Sequence, residues 1–252
     1  MTQLRLPNFL VIGTQKGGTT SLEQALRQHK QIFIPVKKEV HYFSLFSSQP
    51  LEWYANHFIE AKTEQICAEA TPYYLFHPAA AERINQSLSK VKLIVLLRDP
   101  VERLLSHYFH ARRLGNESLG LSDALAAENE RLAGAEAQLM SAGGVHQAHQ
   151  KQSYFSRSCY EKQLPRFDLW QQTDRLLILR SEDLFEQSQQ TLAKVLAFIG
   201  LNASSSTQLL LPQANRGNSE AAAVSSSEKK RIKETLINTY SWAANKLEMH
   251  WD

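Results

Sequence analysis

The sequence predicts an α/β protein, a parallel sheet flanked by helices and folded as one domain. Three observations carry that expectation. Phe9–Gly13 is a short apolar run that ends in glycine and opens into a glycine-rich turn, followed by apolar residues at helical spacing. The stretch 91–97 is near-continuously apolar, the pattern of a strand buried on both faces. Strand-like and helix-like stretches then alternate, as crossover connections in a parallel sheet require.

Taken in order, Leu22, Ala25 and Leu26 give the first helix its buried face over residues 21–29. Residues 31–35 form a second, short strand. Two lysines precede residues 39–43, which alternate charged and aromatic side chains. Helices are expected over 51–59 and 78–88, and a strand over 66–70 that stops at Thr71-Pro72. After the apolar strand at 91–97, Pro100 suits the first turn of a helix running to about Leu114. A strand at 176–179 and a helix at 188–199, closed by Gly200, complete the alternation. Residues 121–142 are rich in Ala and Glu and read as helical. With the glycines that follow they make 121–152 a helical cap inserted over the acceptor side. Residues 203–227 read as a long Ser/Asn-rich loop. Ser225 and Glu228 fit a capping box that starts a terminal helix reaching about Met249.

Composition narrows the function classes. The 252 residues carry 28 Lys and Arg against 25 Asp and Glu, a net charge of +3. That is too mild for a protein that tracks nucleic acid, yet compatible with a local anion site. Two cysteines, Cys67 and Cys159, make no disulfide framework and fit a reducing, cytoplasmic setting. No apolar run approaches the ~20 residues of a membrane span. His146 and His149 lie three apart near Glu136, but the glycine-rich context reads as a loop, and no metal site is expected.

Residues 13–20, Gly-Thr-Gln-Lys-Gly-Gly-Thr-Thr, are the most informative stretch. A glycine-rich turn between strand and helix lets backbone N–H groups converge on an anion, and Lys16, Thr19 and Thr20 add a charge and two hydroxyls. Gly13 and Gly18 have the spacing of a nucleotide phosphate loop. Thr19, however, stands where that loop needs its lysine, and the cation sits earlier, at Lys16.

Here the sequence resembles a known family. Residues 15–22, Gln-Lys-Gly-Gly-Thr-Thr-Ser-Leu, are similar to the 5′-phosphosulfate loop of sulfotransferases that use 3′-phosphoadenosine 5′-phosphosulfate (PAPS). Residues 37–43, Lys-Lys-Glu-Val-His-Tyr-Phe, resemble the acceptor segment of the heparan-sulfate-type branch and its bacterial relatives. Residues 69–74, Glu-Ala-Thr-Pro-Tyr-Tyr, resemble the strand that follows it. The segment from Leu96 through Arg98-Asp99-Pro100 to Ser106-His107-Tyr108 resembles the 3′-phosphate segment, and Glu182-Asp183-Leu184 with the helix ending at Gly200 resembles the late strand and helix. The resemblance implies a single-domain, P-loop-like parallel sheet, the sulfotransferase fold. It implies transfer of a sulfuryl group from PAPS, leaving PAP, to a hydroxyl or amine of a carbohydrate, lipid or small-molecule acceptor, with no metal required.

The same resemblance assigns roles. Lys16, Gly17, Gly18, Thr19, Thr20 and Ser21 would hold the 5′-phosphosulfate, with Lys16 on the oxygen between sulfur and phosphorus. Arg98 and Ser106 would hold the 3′-phosphate, joined by Arg216 and Gly217 from a late loop. Glu39 occupies the base position, and His41, two residues on, would face the same side of a strand and is the alternative base. Tyr154, Phe155 and Tyr160 are candidates for stacking on adenine or for the core. An ion pair between Arg98 and Asp99 or Glu102 is the plainer reading of that arginine, and Lys229, Lys230, Arg231 and Lys233 read as a solvated helix face. Three departures separate the acceptor side from known branches. Ala70 stands where heparan-sulfate 3-O-sulfotransferases carry a lysine, no Cys follows Cys159, and Ser21 replaces the Trp of the cytosolic branch. A small-molecule kinase and a non-catalytic PAP-binding module are the competing readings.

Overall fold

The computed structural model describes residues 4–212 and 219–251. Five strands form one parallel sheet: β1 (Phe9–Gly13), β2 (Ile32–Phe33), β3 (Ile66–Ala70), β4 (Lys92–Leu97) and β5 (Leu176–Arg180). Their spatial order is β2-β3-β1-β4-β5. All the pairings are parallel, with Leu10 opposite Glu69 on one side and Leu93 on the other. β1 is buried at all five positions and β4 at five of six, because helices cover both faces. Order reverses at β1, since the chain leaves it toward β2 and β3 and later returns to β4. Its carboxyl end is therefore the switch point where such sheets bind ligands.

The chain divides into two compact units. The first comprises Met1–Leu97 and Arg166–Ala214, the second Arg98–Pro165 and Asn215–Asp252. The first holds the sheet. Phe9, Val11, Ile94 and Leu96 pack with Leu22, Ala25 and Leu26 of the helix Thr19–Leu26 and with Leu192, Val195 and Leu196 of the helix Ser188–Ile199. Gly200, at φ 87°, closes that last helix in the left-handed region that glycine enters without strain.

The second unit is helical. Asp99 caps the helix Pro100–Arg113 by accepting the Glu102 N–H at 2.8 Å, and Pro100 occupies its first turn. Leu104, Leu105 and Tyr108 pack with Ala124, Tyr154, Ile232 and Leu236. The segment expected as one helical stretch from 121 is three helices, Leu121–Arg131, Ala135–Met140 and Gln147–Lys151. Gly134, at φ 75°, separates the first two. Buried Glu128 anchors the first, its two oxygens accepting the N–H groups of Phe155 and Ser156 at 2.7 Å each. His146 caps the third, its Nδ1 accepting the His149 N–H at 3.2 Å.

Other expectations are corrected in detail. The terminal helix is two, Ser226–Thr235 and Ile237–Leu247, with the predicted Ser225 cap in place at 3.2 Å from the Glu228 nitrogen. Residues 203–208 are a 3-10 turn rather than open loop. The basic face of Ser226–Thr235 is not wholly solvated, since Lys229 pairs with Glu102 at 2.7 Å and Lys233 lies over the Tyr240 ring. Tyr154 and Tyr160 are fully buried and belong to the core, Tyr160 donating its hydroxyl to the Arg98 carbonyl at 2.8 Å. Among the described residues no helix is long and apolar enough to cross a membrane.

Candidate active site

The loop 14–18 leaves β1 at its carboxyl end and is tied down on several sides. Thr14 donates its N–H to the Leu96 carbonyl of β4 at 2.9 Å, and Gly17 donates to the Thr14 carbonyl at 2.9 Å. Ser181 donates its hydroxyl to the Gly17 carbonyl at 2.8 Å. Gly17 needs to be glycine because a Cβ there would lie 2.8 Å from the Leu96 carbonyl oxygen. Gly18, at φ 90°, supplies the left-handed turn into the helix.

The start of Thr19–Leu26 has features that suit an anion. Its N-cap is Gly18, which offers no side-chain cap, and its first turn carries no acidic residue. The first N–H groups of a helix have no partner within it, and the helix dipole puts partial positive charge there. Within that turn Ser21 is fully buried and its hydroxyl has no hydrogen-bond partner among the described residues. A buried hydroxyl left open at a helix start, beside Thr19, Thr20 and Lys16, fits a phosphosulfate oxygen. PAPS therefore fits the residues present at this end.

The segment 39–43 is not a strand. Glu39 and His41 both take left-handed backbone conformations, at φ 55° and 60°. Their side chains do meet, although not through strand periodicity, for His41 Nε2 lies 3.3 Å from Glu39 Oε2. Lys16 is left-handed as well, at φ 71°. Among the described residues five non-glycine positions have positive φ, and three of them are the proposed catalytic residues. Such conformations cost about 1–3 kcal/mol each and persist where surroundings over-determine them.

Sequence reasoning gave no role to the residue that anchors the backbone around Glu39 and His41. Glu69, on β3, is 2% exposed. Its Oε1 accepts the hydroxyls of Tyr54 at 2.9 Å and Tyr74 at 2.7 Å. Its Oε2 accepts the hydroxyl of Thr71 at 3.0 Å and the N–H of Val40 at 3.3 Å. Burial pushes its carboxyl up from the ordinary range, and the hydroxyl donors and the nearby charge of His41 pull it back without cancelling the rise. The only hint in the sequence was a charged residue inside an otherwise apolar strand. Nearby His77 is fully buried; burial and the charges of Arg83, Arg166 and His41 depress its pKa to about 3.

Arg98 and Ser106 lie in the second unit. Arg98 follows β4 directly in the chain, and its guanidinium is 3.7 Å from Glu102, the plainer ion pair the sequence allowed. Ser106 is half-buried on Pro100–Arg113. Arg216 and Gly217 lie outside the described residues. Among the described residues no group of three or more His, Cys, Asp or Glu is placed to hold a metal.

The family model described as the sulfotransferase domain matches residues 6–242. The chain belongs to that family. Over 108 residues it is 48% identical to the membrane-associated sulfotransferase kil1 of Dictyostelium discoideum, a match that spans 42% of this chain and 23% of that protein. Over 131 residues it is 34% identical to the mouse heparan sulfate glucosamine 3-O-sulfotransferase 3B1, spanning 47% of this chain and 33% of that one. The chain thus matches a third or less of the length of these two relatives. In fold it resembles a sulfotransferase from Alicyclobacillus acidocaldarius, with a TM-score of 0.79 at 23% identity over 98% of this chain and 97% of that one. It also resembles mouse sulfotransferase SULT7A1, solved in complex with PAP, with a TM-score of 0.57 at 12% identity over 95% of this chain and 85% of that one. The sheet is accordingly that of the sulfotransferase fold.

Proposed function

We propose that this chain is a PAPS-dependent sulfotransferase acting on a hydroxyl or amine of a carbohydrate, lipid or small molecule. The observation that carries the reading is the loop at the end of β1, where Lys16 precedes an uncapped helix start whose first turn holds a buried Ser21 hydroxyl with no hydrogen-bond partner among the described residues. PAPS supplies the activated sulfuryl group. The N–H groups of the first turn, with Thr19, Thr20 and Ser21, bind its 5′ end, and Lys16 stabilises the negative charge that grows on the leaving phosphate oxygen. Glu39 takes the proton from the acceptor while His41, 3.3 Å away, orients that carboxylate. The acceptor oxygen or nitrogen forms the new bond to sulfur as the bridging sulfur–oxygen bond breaks, and its electron pair leaves with PAP. Arg98 and Ser106 are assigned to the 3′-phosphate, and Arg216 and Gly217 to the loop over it. The helices from Leu121 to Lys151 are assigned to the acceptor side. Cys67 and Cys159, both free and buried, support a reducing, cytoplasmic setting.

The test is twofold. PAP should raise Tm by mass action, by about 2.7 kcal/mol of stability at a hundredfold excess over Kd. Radiolabelled PAPS should transfer its sulfuryl group to an acceptor panel with EDTA present. Lys16→Ala should keep most of the PAP-induced shift while kcat falls about 10²–10³-fold, the usual effect of removing one preorganised donor. No shift with saturating PAP, or a phosphorylated product with ATP and Mg²⁺ instead, would sink the reading.

A further inference from the structure

The backbone from Val40 to Phe43 hangs on one buried carboxylate. Val40, whose N–H reaches Glu69 Oε2 at 3.3 Å, lies between the two left-handed residues Glu39 and His41. The next N–H, that of His41, points to Thr71 Oγ1 at 3.4 Å, and that hydroxyl donates in turn to Glu69 Oε2. The N–H of Phe43 reaches the Tyr74 hydroxyl at 3.4 Å, and that hydroxyl donates to Glu69 Oε1. A carboxylate only accepts, so it fixes the direction of every hydroxyl around it. With their protons committed to Glu69, Thr71 and Tyr74 present lone pairs to the backbone. A single acidic group thereby organises three N–H groups within four residues, one directly and two through one hydroxyl each. β2 cannot do this, because it pairs with β3 only at Ile66 and Cys67 and leaves Glu69 beyond its reach.

We propose that Glu69 is a positioning residue, whose acceptor oxygens hold the strained Glu39–His41 segment in the conformation that brings the two side chains together. The effect on turnover rests on the function proposed above; the effect on the backbone does not. Neither Glu69 nor Thr71 touches an acceptor in this account. Their influence passes through the backbone of residues 40–43.

The inference separates the acceptor role of Glu69 from its charge. In Glu69→Gln one amide orientation keeps an acceptor toward the backbone, although the two tyrosine O–H groups then lose theirs. Its oxygen takes the Val40 N–H and the Thr71 hydroxyl, and its NH₂ donates to the two tyrosine hydroxyls, which can turn to accept while an N–H cannot. Glu69→Leu removes the acceptor altogether. We expect kcat to fall about a hundredfold in Glu69→Leu, as for a catalytic group displaced by about 1 Å, with KM for PAPS and the PAP-induced rise in Tm unchanged. Glu69→Gln should recover about tenfold of that loss. Thr71→Val keeps the shape, removes the hydroxyl that links Glu69 Oε2 to the His41 N–H while leaving the Val40 link in place, and should lose about tenfold in kcat. It decides the matter if Glu69→Leu does not fold.

Hydrogen exchange at the Val40 and His41 amides gives a readout independent of chemistry. Protection at both amides should drop in Glu69→Leu, drop at His41 in Thr71→Val and persist at both in Glu69→Gln. Parental kcat and protection in Glu69→Leu would overturn the proposal. So would a Gln variant as impaired as the Leu variant, because charge rather than the acceptor would then be what matters. If the parent protein transfers no sulfuryl group, the proposed function fails and the exchange pattern alone decides the positioning role.

Discussion

Gly17→Ala tests whether the loop's geometry, rather than its composition, holds the 5′ end of the cofactor. The added Cβ would sit 2.8 Å from the Leu96 carbonyl oxygen and 3.0 Å from both the Thr14 carbonyl oxygen and Thr14 Cγ2. Ordinary contact begins at 3.4 Å, and two of these three atoms are backbone that cannot swing aside. The loop must therefore lift from β4 by about half an ångström. It cannot lift freely, because the Gly17 N–H and carbonyl are both bonded, to Thr14 and Ser181, and Thr14 is bonded to Leu96. Overpacking of this kind costs about 1–3 kcal/mol. In a chain of this size that lowers Tm by roughly 2–12 °C. Half an ångström at Lys16 should also reduce kcat about tenfold, taking 1 Å as a hundredfold. The assay is a melting curve with and without PAP, followed by turnover of PAPS. Gly115→Ala is the control, since its Cβ would meet nothing within 4 Å and it adds only the strain of φ 70°. It should lower Tm and spare the PAP-induced shift. If Gly17→Ala keeps parental Tm and PAP affinity, or Gly115→Ala loses that affinity equally, the steric reasoning fails.

Two further outcomes follow from single residues. Arg98→Ala should weaken PAP by about tenfold or more, as expected for losing a charge-assisted phosphate contact, and hardly change affinity for adenosine 5′-phosphosulfate; equal losses by calorimetry would remove Arg98 from the 3′-phosphate. His77, neutral in the folded chain with its pKa depressed to about 3, charges first in the unfolded chain near 6.5. Stability contributed by the neutral ring is thus complete above pH 6.5 and lost as pH falls toward 3, at about 1.4 kcal/mol per pH unit. His77→Phe should flatten that slope in urea titrations between pH 6 and 4, and an unchanged slope would place the acid sensitivity elsewhere.

The sheet was legible because its strands depend on local pattern. β1 and β4 are runs of large apolar residues bounded by Gly13 and Pro100, and no tertiary contact is needed to recognise them. The helix at 188–199 was legible for the same reason, closing at a glycine that takes φ 87°. What escaped depends on partners distant in sequence. One exception is local, for residues 121–142 read as continuous helix from their Ala and Glu content although Gly134 breaks them. Glu128, an apparent surface residue of that run, is buried because the Phe155 and Ser156 N–H groups require an acceptor. Composition does not encode that requirement.

The candidate site divides along the same line. The strand, glycine turn and helix start around residues 13–20 were readable from spacing, which specifies where backbone N–H groups point, while the roles of Lys16 to Ser21 came from resemblance. Glu39 and His41 were found by resemblance, but the reason they meet was not. Strand periodicity places alternate side chains on one face, and it would pair them in any extended segment. The chain instead passes through two left-handed residues, conformations that each cost about 1–3 kcal/mol outside glycine. A sequence of high β propensity would not adopt them alone. The compensation comes from Glu69, Thr71 and Tyr74, some 30 residues downstream, whose oxygens take the N–H groups that an extended segment would have offered to a neighbouring strand. The approach of Glu39 to His41 is therefore a property of β3 as much as of its own segment. A change at residue 69 should be felt first at residues 39 and 41, while the loop at Lys16, held by β4 and Ser181, keeps its place.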